Sequence, residues 1–230
     1  MEEDKMKITI DTYNNIVEEY INYYKSKELN GNVQFQKEID YLISQLNNNA
    51  NILDAGTAIG DYPRFLTEKC NKNFNVIGID SSENMLKKAI KNAPKAKFEL
   101  MDIRDIKFNN QTFDAIICFA TLIHVNDENC IKVLDKFSQL LKDEGIIAIN
   151  VMECNSEEKE IFIQEPFNPK YKTYFNRYSK QFFIDYFNKN NYIVEKIFDN
   201  KMFDESAIGE DLMGTNEFSI IARKINNLEA

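Results

Sequence analysis

Three aspartates stand at the ends of successive apolar runs: Asp54 in Ile52-Leu-Asp-Ala-Gly, Asp80 in Val76-Ile-Gly-Ile-Asp, and Asp102 in Leu100-Met-Asp. The first run continues through Gly56-Thr-Ala-Ile-Gly60, a turn in which glycine permits positive φ and close backbone approach. In an open parallel sheet such a turn faces the ligand crevice beyond the strands' carboxyl ends and offers N–H groups to what binds there. Asp80 lies twenty residues after Gly60, where a carboxylate accepts from both hydroxyls of a ribose. Asp102 suits the exocyclic amine of adenine. Together the three acids fit a nucleoside that carries an amino-acid tail. Each also has a plainer reading: Asp54 as a cap or a partner for loop amides, Asp102 as a turn residue.

Two further side chains are candidate bases. His124, in Thr121-Leu-Ile-His-Val125, follows the fourth apolar run, where neutral imidazole can take a proton from a hydroxyl or amine. Its alternative is to cap the next helix or bond a loop carbonyl. Glu153, just past the fifth run, is the second candidate on the same rim.

The elements that position these residues follow from hydrophobic spacing. Residues 12–27 and 33–46 read as two amphipathic helices. Strands are expected at Asn51–Ala55, Asn75–Asp80, Lys97–Met101, Phe113–Phe119 and Gly145–Met152, alternating with helices at Tyr62–Cys70, Ser82–Asn92 and Asp127–Leu141. A helix near 179–190 and strands at Tyr192–Asp199 and Asn216–Arg223 complete the pattern. It predicts an α/β, doubly wound, mostly parallel seven-stranded sheet. The segments are N-terminal helices (1–48), a core (50–152), a lid (153–176) with Pro166 and Pro169, and a C-terminal part (177–224), all in one domain. Tyr171, Tyr174 and Phe175 lie in the lid, where aromatic faces can shield a cation or hold a substrate.

Composition excludes several classes. Hydrophobic residues are 43% of the chain, yet no run approaches the roughly 20 apolar residues of a membrane span. The acidic start lacks a secretory signal. Four dispersed cysteines and one histidine give no metal cluster, and free thiols without a signal point to the cytoplasm. The net charge is −9 and the 28 basic residues form no block, which disfavours nucleic acid. A small-molecule partner is the expectation; oligomeric state is open.

Over about residues 50–152 the sequence resembles the class I S-adenosylmethionine-dependent methyltransferases, and more loosely over the whole chain. The matching pieces are Leu53-Asp-Ala-Gly-Thr-Ala-Ile-Gly60, Gly78-Ile-Asp-Ser-Ser-Glu-Asn-Met85, Met101-Asp-Ile103, Phe113-Asp-Ala-Ile-Ile-Cys-Phe119 and Leu140-Leu-Lys-Asp-Glu-Gly145. The resemblance implies S-adenosyl-L-methionine as cofactor, S-adenosyl-L-homocysteine as product, and no metal. It implies that the loop of Asp54, Gly56, Thr57, Ala58 and Gly60 holds the methionine part, and that Asp80, with Ser81 and Met85 beside it, holds the ribose. Asp102 and Ile103 would hold the adenine, Phe119 and Ala120 would line the cofactor beneath the methyl group, and Tyr13 and Tyr20 would close the site from above. The acceptor atom is expected to be oxygen or nitrogen.

Ala58 departs from the family, which usually has glycine there. A cofactor without a pyrophosphate needs less close approach, so the methyl group weighs more against the first rival reading, a NAD-dependent dehydrogenase. The second rival is a module that binds S-adenosylmethionine as a sensor or partner subunit without catalysis.

Overall fold

The computed structural model describes residues 5–26, 33–154, 159–165, 168–201 and 216–225. The apolar runs become strands β1 (Asn51–Ala55), β2 (Asn75–Asp80), β3 (Lys97–Leu100), β4 (Phe113–Phe119) and β5 (Leu141–Met152), followed after an insertion by β8 (Tyr192–Lys201) and β9 (Asn216–Lys224). Their order is β3-β2-β1-β4-β5-β9-β8. The first five run parallel, and β9 is antiparallel to both neighbours. The chain winds outward from β1 to β3 and returns to β4 beside β1. The crevice at that reversal, beyond the carboxyl ends, is where such sheets hold ligands.

Alternation along the strands loads both faces. Leu53, Ile79, Ile116, Ile147 and Ile149 face α6 (Asp127–Leu140) and α7 (Lys180–Lys189), meeting Phe137, Phe183 and Phe187. Ile52, Val76, Ile117 and Ala148 face α3 (Gln36–Gln45) and α4 (Asp61–Glu68), meeting Ile39, Leu42 and Leu66. Helix α5 (Glu83–Asn92) starts where Ser82 accepts the Met85 N–H; α6 and α7 start on Asn126 and Ser179 in the same way.

Among the described residues three helices, not two, precede β1. Helix α1 (Lys5–Asn15) begins seven residues before the expected start and breaks at Ile16 into α2 (Val17–Ser26). Its buried face is partly polar: the Thr9 hydroxyl donates to the Lys5 carbonyl and that of Thr12 to the Lys172 carbonyl, so neither registers as apolar. The expected lid carries an antiparallel pair, β6 (Glu160–Gln164) and β7 (Lys172–Asn176), with Phe162 opposite Tyr174 and Ile161 opposite Phe175. Pro166 lies outside the described residues. No helix among the described residues is long and apolar enough to cross a membrane.

Candidate functional site

The turn after β1 is laid onto the end of β2. The N–H groups of Gly56 and Thr57 donate to the Ile79 carbonyl at 2.8 and 2.9 Å. Gly56 has φ +84°, and a Cβ there would lie 2.0 Å from the Thr121 hydroxyl oxygen, so glycine is required where the β1 and β4 loops touch. Asp54 is buried, and its Oδ2 accepts the Thr57 hydroxyl at 2.6 Å. Burial pushes its carboxyl up to about 7, against the Thr57 bond. Asp54 therefore shapes the turn from beneath rather than reaching into the crevice.

Asp80 is partly exposed at the tip of β2. Its Oδ2 accepts the Ala58 N–H and its Oδ1 the Ser82 N–H, each at 2.8 Å. Burial raises its carboxyl, and the N–H groups of Ser82, Ala58 and Ser81 pull the other way. A carboxylate has about four acceptor positions, so the backbone donors leave acceptor capacity toward the crevice. The site fits an adenosine here. Ala58 has φ +46°, so glycine at that position serves backbone conformation as well as close approach. Gly60, φ +78°, begins α4.

Asp102 takes the turn reading. It accepts the Arg104 N–H at 2.8 Å and pairs with the Arg104 guanidinium at 2.7 Å, so an adenine amine must share it with that cation. The Ile103 side chain is in the core. Met85 is also packed away, against Val17 and Ile21 of α2 with Tyr13, Tyr20 and Ile59 at the edge of the cluster. Asn14, which no pattern in the sequence singles out, ties α1 to this side: its Oδ1 receives the Ser82 hydroxyl at 2.8 Å and its carbonyl the Asn84 amide at 2.9 Å.

On the β4 side, Phe119 is not open to the crevice. Its ring is buried against Phe35 and Tyr62, each at 5.4 Å, on the α3 face. Ala120 is the exposed residue, held at φ +49° by its N–H bond to the Asn150 carbonyl. His124 is buried; its Nδ1 lies 2.8 Å from the Tyr174 carbonyl, which can only accept, so Nδ1 carries the proton. Nε2 then accepts the Tyr13 hydroxyl at 3.2 Å. Burial pushes the imidazole down to about 4, keeping it neutral. The cap of α6 is Asn126, not His124.

Phe175 closes on His124 at 5.0 Å, and Tyr20 meets Tyr13 edge-on at 6.3 Å. The Tyr174 ring packs instead with Phe162 and lies under the Lys5 ammonium, so Tyr174 serves His124 through its carbonyl. Tyr171 lies in the β6–β7 turn, bonded by its backbone to Asn168 and Glu165. Glu153 is engaged by Lys180 at 3.3 Å, which also holds Asp199 at 2.5 Å; this pairing anchors α7 and leaves Glu153 unsuited as a base.

A model of the methyltransferase domain matches residues 52–145. The chain is 27% identical over 124 residues to malonyl-[acyl-carrier protein] O-methyltransferase of Hamiltonella defensa, covering 53% of this chain and 46% of that protein. It spans about half the length of the curated relatives it matches, from 46% to 60% of the first three. A crystal structure of a S-adenosylmethionine-dependent methyltransferase from Methanosarcina mazei superposes with a TM-score of 0.67 at 15% identity, over 80% of this chain and 97% of that one. The 1,6-didemethyltoxoflavin-N1-methyltransferase of Burkholderia thailandensis, solved with 1,6-didemethyltoxoflavin and S-adenosylhomocysteine, gives 0.60 at 15% identity over 92% and 88%.

Proposed function

We infer that the chain is a class I S-adenosylmethionine-dependent methyltransferase, a reading supported by the match to a methyltransferase-domain model over residues 52–145 and by the fold, and that it transfers a methyl group from S-adenosyl-L-methionine to a small-molecule acceptor, releasing S-adenosyl-L-homocysteine. The observation that carries this reading is Asp80, which closes the β1 turn through the Ala58 N–H yet keeps acceptor capacity toward the crevice. When bound, the cofactor supplies a methyl group activated on a sulfonium. The chain's task is alignment and exclusion of water. Asp80 orients the ribose, the Gly56–Gly60 turn receives the amino-acid tail, and α1 and α2 cover the crevice through Asn14, Val17 and Ile21.

An oxygen or nitrogen acceptor that must shed a proton has one imidazole to give it to. Neutral His124 presents Nε2, and the Tyr13 hydroxyl it now receives occupies the place of an acceptor's O–H or N–H. A small acceptor agrees with the relative solved with 1,6-didemethyltoxoflavin and with a net charge of −9, which opposes binding to phosphate backbones. Calorimetric titration tests the reading: S-adenosylmethionine and S-adenosylhomocysteine are expected to bind in the micromolar range, NAD not at all. Binding of NAD with no binding of the other two would reverse it.

A further inference from the structure

Past the His124 loop lies a hollow of about 690 Å³, where the start of α6 meets the open end of the β6–β7 pair. Its wall holds three acids, two bases, two asparagines and Ile161, and none of these belongs to the Gly56–Gly60 turn, to Asp80 or to the His124 cluster. One atom of that wall lacks a partner. Asn176 is only 1% exposed, and its Nδ2 donates to the Val125 carbonyl and to Asp127 Oδ1, each at 3.0 Å. Two acceptors on that side fix which way the amide is turned, because its own oxygen would be repelled there. Asn176 Oδ1 is therefore left buried with no hydrogen-bond donor. Natural folds leave few such atoms, and a bound molecule is one of the things that accounts for them.

The rest of the wall names the ligand. Asn176 Oδ1 calls for an N–H donor. Glu160, directly opposite Asn176 in the strand pair, and Asp127, which takes the Asn176 amide, supply negative charge beside it. Lys159 and Arg177, joined by the Arg177 N–H to the Lys159 carbonyl at 3.0 Å, supply the opposite sign. The Lys159 ammonium gives one of its three donors to Asp127 Oδ2 at 3.0 Å, and a guanidinium carries five N–H donors in a fork that matches a carboxylate. Lys5 and Lys132 pair with Glu160 and Glu128 from outside the hollow, so neither sign dominates. A wall with both charges and an open acceptor suits a ligand that carries an ammonium and a carboxylate close together.

We propose that this hollow is a second binding site, for a free α-amino acid, with the ammonium on Asn176 Oδ1 and the carboxylate toward Arg177 and Lys159. The site is separate from the methyl-transfer crevice and does not rest on that reading. Asn176 also holds the Val125 carbonyl, which places the site one hydrogen bond from the loop that carries His124.

The twenty standard L-amino acids are the probes, screened by thermal unfolding of the full chain with excess S-adenosylhomocysteine, which keeps them from the Gly56–Gly60 turn. The one that raises the unfolding temperature most is titrated calorimetrically beside its decarboxylated amine and its deaminated acid. Each of these single-charge halves is expected to bind at least about tenfold more weakly, the ratio one charge-assisted hydrogen bond gives. R177Q is expected to weaken the amino acid by at least about tenfold while the unfolding temperature of the ligand-free chain stays as it was. Binding that survives R177Q, or a half that binds as tightly as the whole, overturns the proposal. So does a screen in which no amino acid raises the temperature, which would leave water as the partner of Asn176. Should R177Q lose its fold, K159Q decides: weaker binding supports the site, unchanged binding overturns it. Failure of S-adenosylhomocysteine to bind would count against the methyl-transfer reading alone, since R177Q still reports on the hollow.

Discussion

The two halves of the crevice are held by different means. On the β1–β2 side the bonds join neighbouring strand tips and every donor is a backbone N–H: Gly56 and Thr57 to the Ile79 carbonyl, Ala58 and Ser82 to the Asp80 carboxylate. On the β4–β5 side they are side-chain bonds between elements distant in sequence: Tyr13 to His124, His124 to Tyr174, Thr12 to Lys172. The first half is a property of the sheet itself and tolerates little change. The second is an assembly of α1, the loop after β4 and the β6–β7 pair, in which specificity can vary without disturbing the first.

Substitutions can break that contrast. The largest effect is expected from Gly56→Ala, whose Cβ would sit 2.0 Å from the Thr121 hydroxyl at a φ of +84°. We expect a loss of more than about 3 kcal/mol in urea unfolding, partly recovered by Thr121→Gly in the same chain. A tolerated Gly56→Ala would mean that the β1–β2 half is not rigid.

The β4–β5 half should show itself through pH. His124 lies near 4 in the fold against 6.5 unfolded, so between those values the unfolded chain holds the extra proton. Its contribution is present above 6.5 and is lost as pH falls through about 4, at most about 3 kcal/mol. Asp54, raised to about 7, acts with the opposite sign between 3.8 and 7. The His124 share is therefore read as the difference between the parent chain and His124→Gln, measured by chemical unfolding at pH 7.5 and 4.5. A difference that does not change with pH would remove the buried neutral imidazole from the account.

Asp80→Ala is expected to weaken S-adenosylhomocysteine binding by about 1–3 kcal/mol, read by calorimetry. An unaltered affinity would take the ribose away from β2. The smallest effect is expected from Ala58→Gly. Relief of the left-handed alanine slightly exceeds glycine's entropy cost, for a net gain of about 0.5 kcal/mol in the urea midpoint. A loss there would show that Ala58 is not strained.

The same contrast explains what was legible in the sequence. The Asp54 and Asp80 tips and the Gly56 turn could be read because strand period and turn chemistry are local. The α1 start was hidden by Thr9 and Thr12, polar residues buried through carbonyl bonds. The facing of Phe119 was hidden because Ile116-Ile-Cys-Phe119 is apolar toward both sides, and only register assigns Phe119 to α3. Arg104 was in plain view two residues after Asp102, but the short 3-10 turn that folds one onto the other was not. Tyr13 and His124 were each singled out separately. Nothing local links residues 111 positions apart, and the bond between them exists only after α1 docks on β7.

The central claim is best tested by a crystal structure of the chain with S-adenosylhomocysteine. We expect both ribose hydroxyls within about 3.2 Å of the Asp80 carboxylate, with the amino-acid tail on the Gly56–Gly60 turn. Adenosine lodged elsewhere, such as the roughly 690 Å³ hollow between Asn126, Glu160 and Asn176, with Asp80 bonded only to its own backbone neighbours, would contradict the account.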